Sequence, residues 1–169
     1  MPKEEKAQLS AIMHDIIPKL KNYQECVNLA KNATKNGNLE LALEAQKRGI
    51  ELRAATKGAM NGAERECIEA VFAYEDVLHH RNGKKTKAAR TWKMLADRGI
   101  IPAVERLVNR PIETPGYQAL KEMGLEHYAF ESVIIRHPSA FSEEALRSAQ
   151  ERIESASSQG RVLDTVPSP

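Results

Sequence analysis

Apolar residues recur near the amino terminus at alternating spacings of four and three: Leu9, Met13, Ile16, Leu20, Tyr23, Val27 and Ala30. That period places all seven on one side of an α-helix, as a packing seam. Pro18 falls inside it. A proline has no N–H to donate within a helix, so the seam predicts either a kink or a short first helix that ends near Ile17, with Pro18 opening the next. Gly37 and Asn38 predict a turn, because both tolerate the left-handed backbone that closes a helix. From Leu39 to Leu78 the helical rhythm resumes. Leu39, Leu43 and Ile50 lie on one stripe, and Met60, Ala63, Cys67, Val71, Tyr74 and Leu78 on a later one. Gly58 and Gly62 stand between the two stripes, each costing a helix about 1 kcal/mol relative to Ala, which predicts a bend or a break there.

The stretch from Tyr23 to Ala54 resembles a single tetratricopeptide repeat, with Leu29, Ala30, Gly37, Ala42 and Leu52 near the packing positions of that motif. Gln46 stands where the pattern carries an aromatic, and the following ~34 residues do not repeat it, whereas a solenoid needs about three copies to bury its faces. What remains of the resemblance is a helical hairpin.

Beyond residue 85 the punctuation becomes dense and predicts short helices. Thr86 opens one that Gly99 closes, and Pro102 suits the first turn of another that stops before Pro111. Thr114 and Pro115 mark the next start and Gly124 its end. A further helix spans Leu125 to Arg136 before His137 and Pro138. Ser142, followed by Glu143 and Glu144, is an amino-terminal signal for the last. From Ser155 onward Ser, Gln, Gly and Pro dominate, which predicts a disordered tail.

Composition agrees with a helical reading. Aromatics make up 5% of the 169 residues and charged residues 28%, Ala, Leu, Glu and Lys recur throughout, and β-branched runs are nearly absent apart from Val133 to Ile135. No apolar run approaches the roughly 18 residues of a membrane span. The charged start, Met1 to Lys6, has no apolar segment behind it, so a cytoplasmic protein is expected. Cys26 and Cys67 both fall on apolar stripes and are expected as small buried side chains in a reducing compartment.

Charge changes the picture. The chain has 25 basic and 23 acidic residues, yet residues 77–96 hold Arg81, Lys84, Lys85, Lys87, Arg90 and Lys93, with His79 and His80 alongside, and neither Asp nor Glu. Setting these six aside from the 25 leaves 19 basic against 23 acidic, so the remainder is mildly acidic. A concentrated basic segment on such a chain attracts polyanions such as nucleic acid or an acidic protein face. On a helix after Thr86, Ala88, Trp92 and Leu95 share one side, and Lys87, Arg90 and Lys93 lie toward the other. A second short helix would turn Val104, Leu107 and Val108 inward and Arg106, Asn109 and Arg110 outward. Two such helices about Gly99 resemble a helix-turn-helix, in which Arg and Asn suit guanine and adenine edges. Glu105 and Asp97 carry the wrong sign for phosphates. Trp92, central in an apolar stripe, is expected in the core.

Catalytic patterns are sparse. Glu75 with His79, and His127 with Glu131, are each one helical turn apart, and Asp76 with His79 supplies half of a di-iron spacing, but a catalytic metal needs at least three converging ligands. Gly83-Lys84-Lys85-Thr86 lacks the first glycine of a phosphate-binding loop. No cofactor or metal is expected, and metal catalysis is the least favoured reading. Arg136 and His137 suit a helix carboxyl end, with an anion site as the lesser alternative. Phe130, Ile134 and Phe141 are expected in a core.

These readings predict an all-α protein. An amino-terminal helical hairpin or coiled-coil-like segment covers residues 1–80, a basic connecting loop 81–85, a compact bundle of short helices 86–154 and a disordered tail 155–169. The expected function is non-enzymatic binding of DNA or RNA through the basic segment at 81–93, with Arg106, Asn109 and Arg110 as further contacts. The alternative is a helical adaptor that forms a homodimer or takes a partner helix along Leu9, Met13, Ile16, Leu20, Tyr23 and Val27, with the cations as a solvated linker.

Overall fold

Asparagine side chains start three successive helices. The computed structural model describes residues 8, 11–13, 15–111 and 116–162, and side chains as far as residue 158. The regular elements among the described residues are all helices, with no strand among them, and no helix among them is long and apolar enough to cross a membrane. They divide at Gly58 into two units.

In the first unit, residues 11–13 and 15–16 are helical and a 3-10 turn, Ile17–Lys19, follows. Helix α1 then spans Tyr23–Lys35 and α2 Leu39–Ala55. Pro18 sits in the 3-10 turn and does not open α1, because Asn22 does so: its Oδ1 accepts the Glu25 N–H at 3.0 Å while Glu25 Oε2 accepts the Lys21 N–H at 2.7 Å. The first bond satisfies a donor that the helix start otherwise leaves unpaired, a contribution of about 1 kcal/mol, and the second ties the residue before the cap to the first turn. At the other end the Asn38 N–H donates to the Ala33 carbonyl at 2.8 Å and the Gly37 N–H to that of Thr34 at 3.0 Å, the paired bonds of a Schellman stop. Asn38 at once caps α2 through the Leu41 N–H, 3.1 Å away.

The hairpin packs closely because of Gly49. A Cβ there would lie 3.1 Å from the Tyr23 ring and 3.2 Å from Cys26 Cβ, tighter than atoms tolerate without a shift. The buried positions are Cys26 and Ala33 on α1 and Leu41, Ala45, Gly49, Ile50 and Ala54 on α2. The two apolar stripes meet this interface only in part. Met13, Ile16, Leu20, Tyr23, Val27 and Ala30 are only half-buried, and Leu9 lies outside the described residues. Leu39 is 68% exposed; small residues, which permit close helix approach, take the interface, and the larger Leu39 is left on the outside at the helix start.

The second unit begins with α3, Gly62–Asn82. Asn61 caps it as Asn22 caps α1, accepting the Glu64 N–H at 2.9 Å while Glu64 Oε2 accepts the Met60 N–H at 2.8 Å. The break expected near Gly58 and Gly62 is present, and Met60 drops out of the apolar stripe at 90% exposure. The stretch to residue 80, expected with the hairpin, is divided at Gly58. In the structure α3 packs on the helices that follow, because Ala63, Cys67 and Val71 face their apolar side chains.

Those helices are α4, Ala89–Arg98; α5, Ile100–Val108; α6, Gly116–Glu122; α7, Phe130–Arg136; and α8, Glu143–Val162. One core cluster joins Cys67, Val104, Val108, Val133, Ile134 and Phe141 to Ala145 and Ala149 of α8, with Phe130 packed at its margin. A second joins Val71, Ala88, Leu95 and Ala103. The helix expected over Leu125 to Arg136 is interrupted: Ala129 is extended, at ψ 147°, between a 3-10 turn and α7. Ser142 Oγ accepts the Ala145 N–H at 3.2 Å and starts α8 as expected. Thr114 and Pro115 lie outside the described residues. The tail expected to be disordered from residue 155 is helical to Val162. Its serines, which favour irregular chain when they compete for backbone groups, instead bond within the helix: Ser157 Oγ and Ser158 Oγ donate to the carbonyls of Ile153 and Glu154. Residues 163–169 lie outside the described residues.

Arg136 and His137 do meet an anion, and it is internal. Arg136 reaches Glu66 Oε2 at 2.7 and 2.8 Å. His137 Nε2 lies 3.0 Å from Glu66 Oε1, off the hydrogen-bond axis. Burial pushes the Glu66 carboxyl up, but the contacts with His137 and Arg136 outweigh it and hold the group below its ordinary 4.5. A carboxyl lowered by folding adds stability above its unfolded value, and that stability is lost as pH falls through the folded value. Glu66→Gln is therefore expected to cost about 1–2 kcal/mol at pH 7 and progressively less below pH 4.5. Urea midpoints of both proteins at pH 7, 5, 4 and 3 check this, and a gap that is constant with pH would count against it.

Candidate nucleic-acid interface and an adjoining cavity

The basic segment is anchored from beneath by one carboxylate. Helix α3 ends at Gly83, and residues 84–88 run to α4 with no side-chain cap at Ala88. Glu75, on α3, substitutes for the cap: its Oε1 accepts the Ala88 N–H at 2.9 Å and the Trp92 indole N–H at 2.7 Å. The Trp92 ring meets Phe72 with centroids 5.0 Å apart. Thr86 Oγ1 donates to the Lys84 carbonyl at 3.0 Å and accepts from Asn82 Nδ2 at 3.2 Å. Thr86 thus orders the loop, and the helix starts at Ala89. Trp92 is half-buried with its polar atom satisfied, and through Glu75 and Phe72 it supports the segment. Glu75→Ala is expected to cost about 2 kcal/mol, since two hydrogen bonds to a charged acceptor are lost, and to shift the emission of Trp92, the single tryptophan, to the red. Glu75→Gln, which keeps the Oε1 acceptor, should lose less; equal loss in both variants would sink this account.

The six cations separate into two groups. Lys93 Nζ pairs with Asp97 at 2.7 Å and Arg81 approaches Glu122 at 3.9 Å. Lys84, Lys85, Lys87 and Arg90 are exposed and have no carboxylate partner among the described residues. Arg106 and Arg110 are also exposed. Asn109 is half-buried, where an outward side chain was expected, and its Oδ1 is buried, so that oxygen is not offered to a base edge. The connection between α4 and α5 is the single residue Gly99, at φ 87° and ψ 159°, which closes one helix and opens the next. A helix-turn-helix uses a turn of about 3–4 residues. Ile100, Ala103, Val104 and Val108 of α5 face the core, and Glu105 accepts the Ser142 N–H. Helix α5 is a core element, so the pair does not make a reading head.

Beside the unpaired cations the second unit opens into a cavity of about 700 Å³, within the range of small-ligand sites. Tyr74, Tyr117, Tyr128 and Phe130 supply aromatic walls, and Met94, Leu107, Val108 and Leu120 aliphatic ones. Lys87, Arg90 and Arg110, all exposed, line it from the solvent side. Glu131, 5% exposed, and Arg152 line it from within. Glu131 Oε1 takes Arg152 Nη1 at 3.3 Å, and Arg152 Nη2 donates to the carbonyls of Arg110 at 2.7 Å and Leu107 at 3.4 Å. Glu131 Oε2 has no hydrogen-bond donor among the described residues. Burial first, then the charges of Glu126 and Glu131, push the Tyr117 phenol above its ordinary 10, so its hydroxyl remains a neutral donor. None of these residues was singled out in sequence for this role, because they come from six helices and a turn. The one local signal was the apolar setting of Glu131, between Phe130 and Val133.

In the paired spacings read as metal ligands, both carboxylates are otherwise engaged. Glu75 holds Ala88 and Trp92, Glu131 holds Arg152, and His79 is exposed. Among the described residues no group of three or more His, Cys, Asp or Glu side chains is placed to hold a metal ion. Both cysteines are buried and unbridged. Burial pushes the Cys67 thiol up to about 12 and raises that of Cys26, which makes both poor nucleophiles. Compared with known proteins, the chain matches no family model, no curated protein and no solved structure.

Proposed function

We propose that this protein binds nucleic acid without sequence reading, with Lys84, Lys85, Lys87 and Arg90 positioning the phosphate backbone and Arg110 extending the contact. One observation carries the proposal: four consecutive cations of the segment are exposed, have no carboxylate partner among the described residues and stand on the loop and the first turn of α4, which Glu75 holds through Ala88 and Trp92. Cations neutralised within the fold release no counterions from a polyanion, whereas unpaired ones do. Arg81 and Lys93, which have acidic neighbours, contribute less. The buried side of α5 and the buried Oδ1 of Asn109 argue against base-specific contacts. The test is an anisotropy titration of labelled duplex and single-stranded oligonucleotides at 50 and 200 mM salt. Tight binding at low salt that weakens steeply at high salt is expected; no binding at 50 mM salt overturns the reading.

A further inference from the structure

We infer that the cavity beside the basic segment takes the base of a nucleotide whose phosphate rests on Lys87, Arg90 and Arg110. The inference builds on the proposed phosphate contact, and the nucleotide is either free or a residue of a bound strand. Three features of the cavity point to the same ligand chemistry. Its mouth carries three exposed cations, two of them from the unpaired group, which suits a phosphate. Its walls carry the rings of Tyr74, Tyr117 and Phe130, and a base has a π-face that stacks on such rings whatever its identity. Its interior holds the Glu131 carboxylate, buried to within 5%, with Oε2 lacking a donor among the described residues. An apolar ligand would leave that oxygen unsatisfied at a cost, whereas the amino group of a base supplies a donor.

The carboxylate also sets an order of preference. Adenine, cytosine and guanine bring an exocyclic amino group to Oε2. Uracil brings carbonyl oxygens on either side of its one N–H, and these face the carboxylate unfavourably. A site that hydrogen-bonds a ligand group discriminates against an analogue lacking it, because the buried partner is then left unpaired.

The experiment uses the full chain and three probes: AMP and UMP in equilibrium dialysis, and labelled single-stranded and duplex oligonucleotides in anisotropy. The variant is Ala89→Phe, which places a ring at an exposed position of the cavity lining and replaces neither a cation nor a core side chain; Tyr117→Leu, which keeps apolar bulk and removes a ring, is the second. Expected are saturable binding of AMP at one per chain, UMP at least tenfold weaker, and a tenfold or greater loss of AMP in both variants, with duplex affinity within twofold of the parent. If single-stranded binding falls in step with AMP, the nucleotide belongs to a strand; if AMP binding alone responds, it is free. Absence of saturable AMP binding, or AMP binding that neither variant weakens, overturns the inference while the duplex arm still reports on the nucleic-acid reading. Duplex binding lost with AMP binding intact leaves the cavity assignment and removes the strand.

Discussion

Lys84→Glu, Lys85→Glu, Lys87→Glu and Arg90→Glu, combined, are expected to lower oligonucleotide affinity by at least about 10²-fold at 50 mM salt. The figure follows from counterion release. Four phosphate contacts give a slope of about −3.6 in log affinity against log salt on duplex, hence a loss of about 10²-fold between 50 and 200 mM salt for the parent chain. The combined variant should show both the weaker binding and a flattened slope, as measured by anisotropy at several salt concentrations. Its fold should survive, because all four side chains are exposed and none gives up a carboxylate partner among the described residues; helical circular dichroism and Trp92 emission report on that. Arg81→Glu with Lys93→Glu is the contrasting pair. Both residues already stand beside acids, Glu122 and Asp97, so their reversal is expected to matter less. Affinity of the fourfold variant within threefold of the parent would defeat the proposal.

Arg152→Met should cost about 3–5 kcal/mol of stability, the penalty for leaving a buried charge without its partner. Arg152 holds Glu131, which is 5% exposed, and reaches the Arg110 and Leu107 carbonyls at the end of α5. Its removal strands a carboxylate and two acceptors at once. The double variant Glu131→Leu with Arg152→Met is expected to recover much of the loss, since an apolar pair of similar volume costs no desolvation of charge. Urea denaturation of the parent, both single variants and the double variant closes the thermodynamic cycle. A loss below about 1 kcal/mol for Arg152→Met would show that solvent screens the pair.

The two effects differ in how far they could be seen from the chain alone. Lys93 and Asp97 are four residues apart, so their pairing is visible to anyone who counts along a helix. Arg81 and Glu122 are 41 positions apart in number, and no local pattern joins them. The caps at Asn22, Asn38 and Asn61 were equally local, yet the glycine and proline signals drew the boundaries instead; an asparagine three residues before a glutamate was the better marker at two of them. The burial of Asn109 Oδ1 and the loss of Leu39 and Met60 from their stripes depend on which neighbour covers which face, and periodicity gives a face without saying what covers it.

Helical composition, the helix-period stripes, the break near Gly58 and the concentration of cations at 81–93 were determined by the sequence itself, because each rests on interactions that reach only a few residues along the backbone. Tertiary structure alone decided which cations keep their charge unmatched, that Glu75 ties the basic loop to α3, and that Glu131 and Arg152 close one side of an aromatic cavity. Those features join groups 13, 17 and 21 residues apart or more. Their energies come from burial and pairing across elements, which arise only once the helices have packed.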